Sequence, residues 1–115
     1  MTDAPSPLRW SEFERVEMHV GTVLACEPNP KARVPAYVLT IDLGELGQCT
    51  SSAQLTANYS VEELVGRQVI CVTNFEAKRV AGVKSEVLVL GALDEGAGTI
   101  LLGVERPVRP GTRIA

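Results

Sequence analysis

The chain has 115 residues, enough for one domain that buries roughly two-thirds of its unfolded surface without disulfides or a structural metal. Apolar residues make up 45% and aromatics only 4%, so the core must be built from Val, Leu, Ile and Ala, with few rings left for ligands. Eleven Lys and Arg against 14 Asp and Glu give a formal net charge of -3, which excludes a general nucleic-acid coat protein and confines any such contact to a local patch.

Residues 1–9, with two prolines, read as a flexible lead-in. They hold no apolar core of signal-peptide length, and no later run reaches membrane-spanning length, so the cytoplasm is the expected compartment. Ser11 and Glu14 stand in capping-box positions and predict a short helical turn carrying Phe13. From Val16 the pattern alternates, with Val16, Met18 and Val20 on one face and Glu17 and His19 on the other, which predicts a strand. Gly21 then predicts a bend or bulge, with "TVLAC" continuing beyond it. The stretch "EPNPKARVP" reads as a solvated loop holding the pair Lys31 and Arg33.

"AYVLTIDLG" and "QCTSSA" predict two strands joined by the turn "GELG". Ser60 and Glu63 form a second capping box, with Gly66 placed to end that short helix in the left-handed conformation. "QVICVTN", "SEVLVLGAL" and "TILLGV" complete the strands, and the segment between the first two carries Lys78, Arg79 and Lys84 as a basic loop. Five or six strands with one short helix between the third and fourth predict an all-β fold with short helices. The order is that of a five-stranded OB-fold Greek-key barrel, with an SH3-like barrel as the nearest rival. One domain, residues 10–115, accounts for everything after the lead-in.

Cys26, Cys49 and Cys71 form no C-x-x-C, which excludes a zinc knuckle and a thioredoxin-type motif; they read as small buried hydrophobes, and their odd number suits a reducing compartment. His19 has no motif-spaced partner, so it reads as a polar-face or interface residue. The closely spaced glycines of "GAGTILLG" precede a strand rather than a helix and make a hairpin, not a phosphate loop. The carboxylates show no acid–base spacing. No catalytic residue, metal or cofactor is expected.

Four stretches, "FERVEMHVGTVLACEPNPKARVPAYVLTIDLGELG", "SSAQLTANYSVEELVGRQVICVTNF", "KRVAGVKSEVLVLGA" and "RPVRPGTRIA", resemble the tRNA-binding OB domain of freestanding tRNA-binding proteins and some aminoacyl-tRNA synthetases. Within that group the sequence is most similar to the CsaA-type, secretion-related chaperones. The resemblance implies a non-catalytic homodimer that binds unfolded preproteins for export, with a structure-specific tRNA binder as the alternative. "WSEF" and the closing segment would supply the dimer contact. The resemblance makes Lys31, Arg33, Lys78, Arg79, Lys84 and Ser85 the tRNA-binding candidates; the peptide site is unassigned. His19 stands where the family tends to have Arg, and Glu76 and Ala77 where it often has two prolines. The first removes a cation and the second sets an anion beside the basic loop.

Overall fold

A computed structural model describes residues 6–115, so most of the 1–9 lead-in lies outside the described residues. The chain runs α1 (Trp10–Glu14), β1 (Met18–Pro28), β2 (Tyr37–Asp42), a 3-10 turn (Gly44–Leu46), β3 (Gln48–Ala53) and α2 (Val61–Leu64). It continues through β4 (Gln68–Val72), β5 (Lys78–Val80), β6 (Val83–Ser85), β7 (Leu88–Val89), β8 (Gly91–Asp94), β9 (Gly98–Leu101) and β10 (Arg113–Ile114).

The main sheet has the order β3-β2-β1-β4-β7, with β10 also paired to β1. Alternation builds its inner face: Tyr37, Leu39 and Ile41 of β2 are buried, while Val38, Thr40 and Asp42 are less so. Side-chain and backbone bonds then draw β3 to β6 and the segment after it and nearly close the barrel. Thr50 Oγ1 donates to Lys84 O (2.5 Å), Glu86 N donates to Thr50 O (2.8 Å), and the buried Ser51 hydroxyl donates to Val87 O (2.9 Å). With α2 between β3 and β4, this is the five-stranded OB-fold barrel. No helix among the described residues is long and apolar enough to cross a membrane.

Several local expectations hold. Ser60 Oγ accepts from Glu63 N (3.2 Å) while Glu63 Oε1 accepts from Ser60 N (3.0 Å), and Gly66 is left-handed at φ +89°. Others shift. The first helix starts at Trp10, not Ser11, because Glu12 reaches back to accept from Arg9 N at 3.0 Å. Gly21 does not break β1: it pairs with Val69, and the irregularity in the β1–β2 ladder falls between Val23 and Ala25. Gly21 is required because a Cβ there would overlap Ile41 of the core.

His19 is buried rather than on a polar face, since β10 covers the start of β1 with Met18 opposite Ile114 and His19 opposite Arg113. Its Nδ1 lies 2.8 Å from Thr73 Oγ1, which in turn donates to Glu17 O at 3.2 Å.

Along one edge of β1, β10 takes up where β2 leaves off: β2 pairs with Thr22–Pro28 and β10 with Met18 and His19. At this junction the closing segment is held by Val20 N donating to Thr112 O (2.8 Å) and Gly111 N donating to Val20 O (2.6 Å). The Gln68 amide brackets Val108, donating to its O at 2.7 Å and accepting from its N at 3.0 Å.

Cys26, Cys49 and Cys71 are free and buried in the core. Burial, then the charge of Glu86, pushes Cys49 up to about 11, and burial followed by interaction with Cys49 pushes Cys71 up to about 12. A thiol whose folded pKa is raised keeps its full contribution below the unfolded value of about 8.5 and loses it as pH rises toward the folded value. Stability is therefore expected to fall above about pH 8.5, at up to about 1.4 kcal/mol per pH unit per thiol. Urea unfolding of the parent and a Cys49→Ala, Cys71→Ala variant, compared between about pH 8.5 and 10.5, checks this. Equal losses in both would assign the alkaline sensitivity to other groups.

Candidate nucleic-acid interface

The basic segment is not an irregular loop. It is a tight β-hairpin in which Lys78 opposes Ser85, Arg79 opposes Lys84 and Val80 opposes Val83. Its two-residue turn puts Ala81 at φ +47° and Gly82 at φ +82°, the left-handed pair that a twisted two-residue hairpin needs. Alanine resists that conformation, and a neighbouring loop holds it in place. The buried Asn29 donates from Nδ2 to Ala81 O (3.2 Å) and accepts from Lys31 N on Oδ1 (3.0 Å).

This clamp explains how the two basic segments meet. The Lys31 side chain lies across Gly82, its Cδ 3.0 Å and its Nζ 3.6 Å from where a Gly82 Cβ would stand. Arg79 Nη1 donates to Gly82 O at 3.1 Å. Lys84 faces Arg79 directly across the hairpin, an arrangement of like charges that destabilises a strand pair unless an anion lies against it. Lys31, Arg79 and Lys84 thus form one cationic group. Arg33 is exposed on the same loop, and among the described residues no hydrogen bond ties it to the hairpin.

Strand alternation turns Lys78 and Ser85 to the opposite face. There they line an open groove of about 330 Å³ together with Glu76 and Glu86, walled by Phe75 and Leu88. Phe75 is 61% exposed, so its ring belongs to this surface and not to the core. Ser85 also anchors the groove, its Oγ accepting from Ser52 N at 3.2 Å. The anion that departs from the family pattern, Glu76, therefore sits on the groove side of the hairpin. His19 lies under β10 and plays no part in this face.

Sequence reasoning treated the three hairpin cations as one set. The division between faces follows from the strand pairing, which the reading of the segment as a basic loop did not contain. Asn29 was missed altogether. Asn74 was missed as well: it donates from Nδ2 to Arg15 O (2.6 Å) and accepts from Glu17 N on Oδ1 (3.0 Å), fixing the chain just before Phe75 to the segment after α1.

A second surface lies at the termini. Leu8 is 70% and Trp10 82% exposed, and Phe13, Val16 and Ile114 join Trp10 around an open depression of about 380 Å³.

A small barrel whose β1–β2 loop and β5–β6 hairpin, the latter inserted between barrel strands β4 and β7, converge on one charged face is an OB-fold binding domain; such barrels hold oligonucleotides through the loops at these two places. The family described as "putative tRNA binding domain" matches residues 18–113, and the chain belongs to it. The methionine–tRNA ligase of Methanosarcina acetivorans is 33% identical over 107 residues, covering 93% of this chain and 15% of the ligase. That of Methanoregula boonei is 38% identical over 104 residues, covering 90% of this chain and again 15% of the ligase. The chain thus spans a small part of the curated relatives it matches. Chaperone CsaA from Bacillus anthracis is 44% identical with a TM-score of 0.90, covering 96% of this chain and 100% of the other. The CsaA chaperone protein from Picrophilus torridus is 38% identical with a TM-score of 0.89, covering 95% and 100%. The likeness to tRNA-binding OB domains and CsaA chaperones read from the sequence is borne out.

Proposed function

We propose that the protein is a non-catalytic, cytoplasmic homodimer that binds tRNA through the cationic face of its hairpin. The carrying observation is the convergence of Lys31 with Arg79 and Lys84 on one turn, built from two segments locked together by a buried Asn29. Guanidinium and ammonium groups there suit phosphate oxygens, and a local patch is what a net charge of -3 leaves room for. Family membership and the methionine–tRNA ligase relatives support the same ligand. The exposed apolar depression at the termini suits a second copy of the chain.

Titration of the purified protein with tRNA at two salt concentrations tests this. Affinity is expected to fall steeply with salt, as counterion release requires. Affinity that is absent or indifferent to salt would refute it.

A second reading has its own support. The CsaA chaperones match this chain along nearly its whole length, and a homodimer of this kind would hold unfolded preproteins destined for export. Here a stoichiometric amount of the protein should suppress light scattering by a refolding client. Unchanged aggregation beside salt-sensitive tRNA binding would leave the tRNA reading alone.

A further inference from the structure

The hairpin sorts charge between its two faces, and that sorting restricts what each face can hold. One face presents Lys31, Arg79 and Lys84. The groove on the other has two acidic residues, Glu76 and Glu86, against one cation, Lys78, beside an exposed aromatic ring. A phosphodiester is favoured on the first face and repelled by the carboxylates of the second. A neutral group with hydrogen-bond donors and a flat apolar face has the opposite preference.

We infer that the groove takes an unpaired nucleobase of the bound RNA, stacked on Phe75, while phosphates further along the same strand, which passes over the edge of the hairpin, lie on the cationic face. This deepens the tRNA-binding reading and rests on it. Carboxylates accept from exocyclic amino groups, so Glu76 and Glu86 favour cytosine, adenine or guanine over uracil, which offers carbonyl oxygens in place of the amino group. The partner is accordingly an RNA that presents unstacked bases at a loop, bulge or end, since a base inside a helix cannot reach around the hairpin to the groove. Stacking on one ring supplies a sequence-tolerant part of the affinity, and the acidic pair supplies the preference.

The test is fluorescence anisotropy with end-labelled probes: tRNA, single-stranded oligo-C and oligo-U of equal length, and a duplex of that length. Oligo-C is expected to bind more tightly than both oligo-U and duplex. Phe75→Ala should weaken tRNA and oligo-C by about tenfold while leaving the salt slope unchanged, because a ring releases no counterions. A Glu76→Gln, Glu86→Gln variant should level the difference between oligo-C and oligo-U. Phe75 is largely exposed, so its truncation leaves the core intact. If the duplex competes equally and Phe75→Ala is silent while tRNA binding still depends on Arg79 and Lys84, the base-in-groove inference fails and the tRNA reading stands. If no RNA binds at any salt concentration, both fail. Salt-insensitive binding of an apolar peptide probe, lost in Phe75→Ala, would assign the groove to polypeptide and overturn the inference.

Discussion

Replacing Lys31, Arg79 and Lys84 together with Glu is expected to lower tRNA affinity by at least about 10³-fold. Charge-assisted hydrogen bonds contribute roughly 1.5–3 kcal/mol each, and three lost contacts at the lower figure already reach about 4.5 kcal/mol. Reversal adds repulsion to that loss. Single substitutions separate the two faces: Arg79→Ala or Lys84→Ala should reduce the salt slope by about one unit, as for a phosphate contact, whereas Lys78→Ala, on the groove side, should leave the slope nearly unchanged. Stability offers a control. Lys84→Glu turns a like-charged cross-strand pair into an opposite one, so the hairpin should gain stability while binding is lost. A triple variant that is folded and binds tRNA as the parent does would show that the cationic face is not the site.

Gly44→Ala is expected to lower the melting temperature by about 10 °C, corresponding to roughly 3 kcal/mol in a domain of this size. Gly44 has φ +63°, where a Cβ alone costs about 1–2 kcal/mol, and that Cβ would overlap the backbone oxygen of Pro110. No rotamer relieves a clash between backbones, so the closing segment must move. Its displacement breaks the bonds between Val20 and residues 111–112 and uncovers His19. Gly111→Ala, at φ +86° and against the oxygen of Leu43, should act from the other side with a similar result. Thermal unfolding followed by circular dichroism measures the shift. Sedimentation of the same variants tests whether the terminal surface carries assembly, since a displaced tail removes Ile114 from the depression shared with Trp10 and Phe13. An unchanged melting temperature in both variants would mean that the junction is looser than its geometry indicates.

The barrel was legible in the sequence because strand alternation, turn glycines and the Ser60–Glu63 box are local signals that agree with one another. What escaped was set by contacts distant in the chain. His19 reads as polar-face because its neighbours alternate, yet it is buried by β10, which is nearly the whole chain away. Gly21 resembles a bulge signal, but its small size serves the Ile41 side chain packed against it. The candidate site divides in the same way. Residue types and the family resemblance nominated Lys31, Arg33, Lys78, Arg79, Lys84 and Ser85 as one set, and the structure distributes them over a loop and the two faces of a hairpin. Which of them share a face depends on hairpin register, and the role of Asn29 depends on a contact with Ala81 that no spacing rule contains.

The pairing of β10 with the start of β1 also constrains the order of events during synthesis. Met18 and His19 meet Ile114 and Arg113 across the sheet, so the first strand cannot complete its hydrogen bonding until almost the last of these residues has been translated. Up to that moment the nascent chain carries an open strand edge, and Val20 N and O lack the partners they later find in Thr112 and Gly111. Closing so long a loop is a slow, late step, because its entropy must be lost before the contacts compensate for it. Until residues 111–114 have cleared the ribosome's exit tunnel, the emerging barrel therefore keeps one unsealed seam.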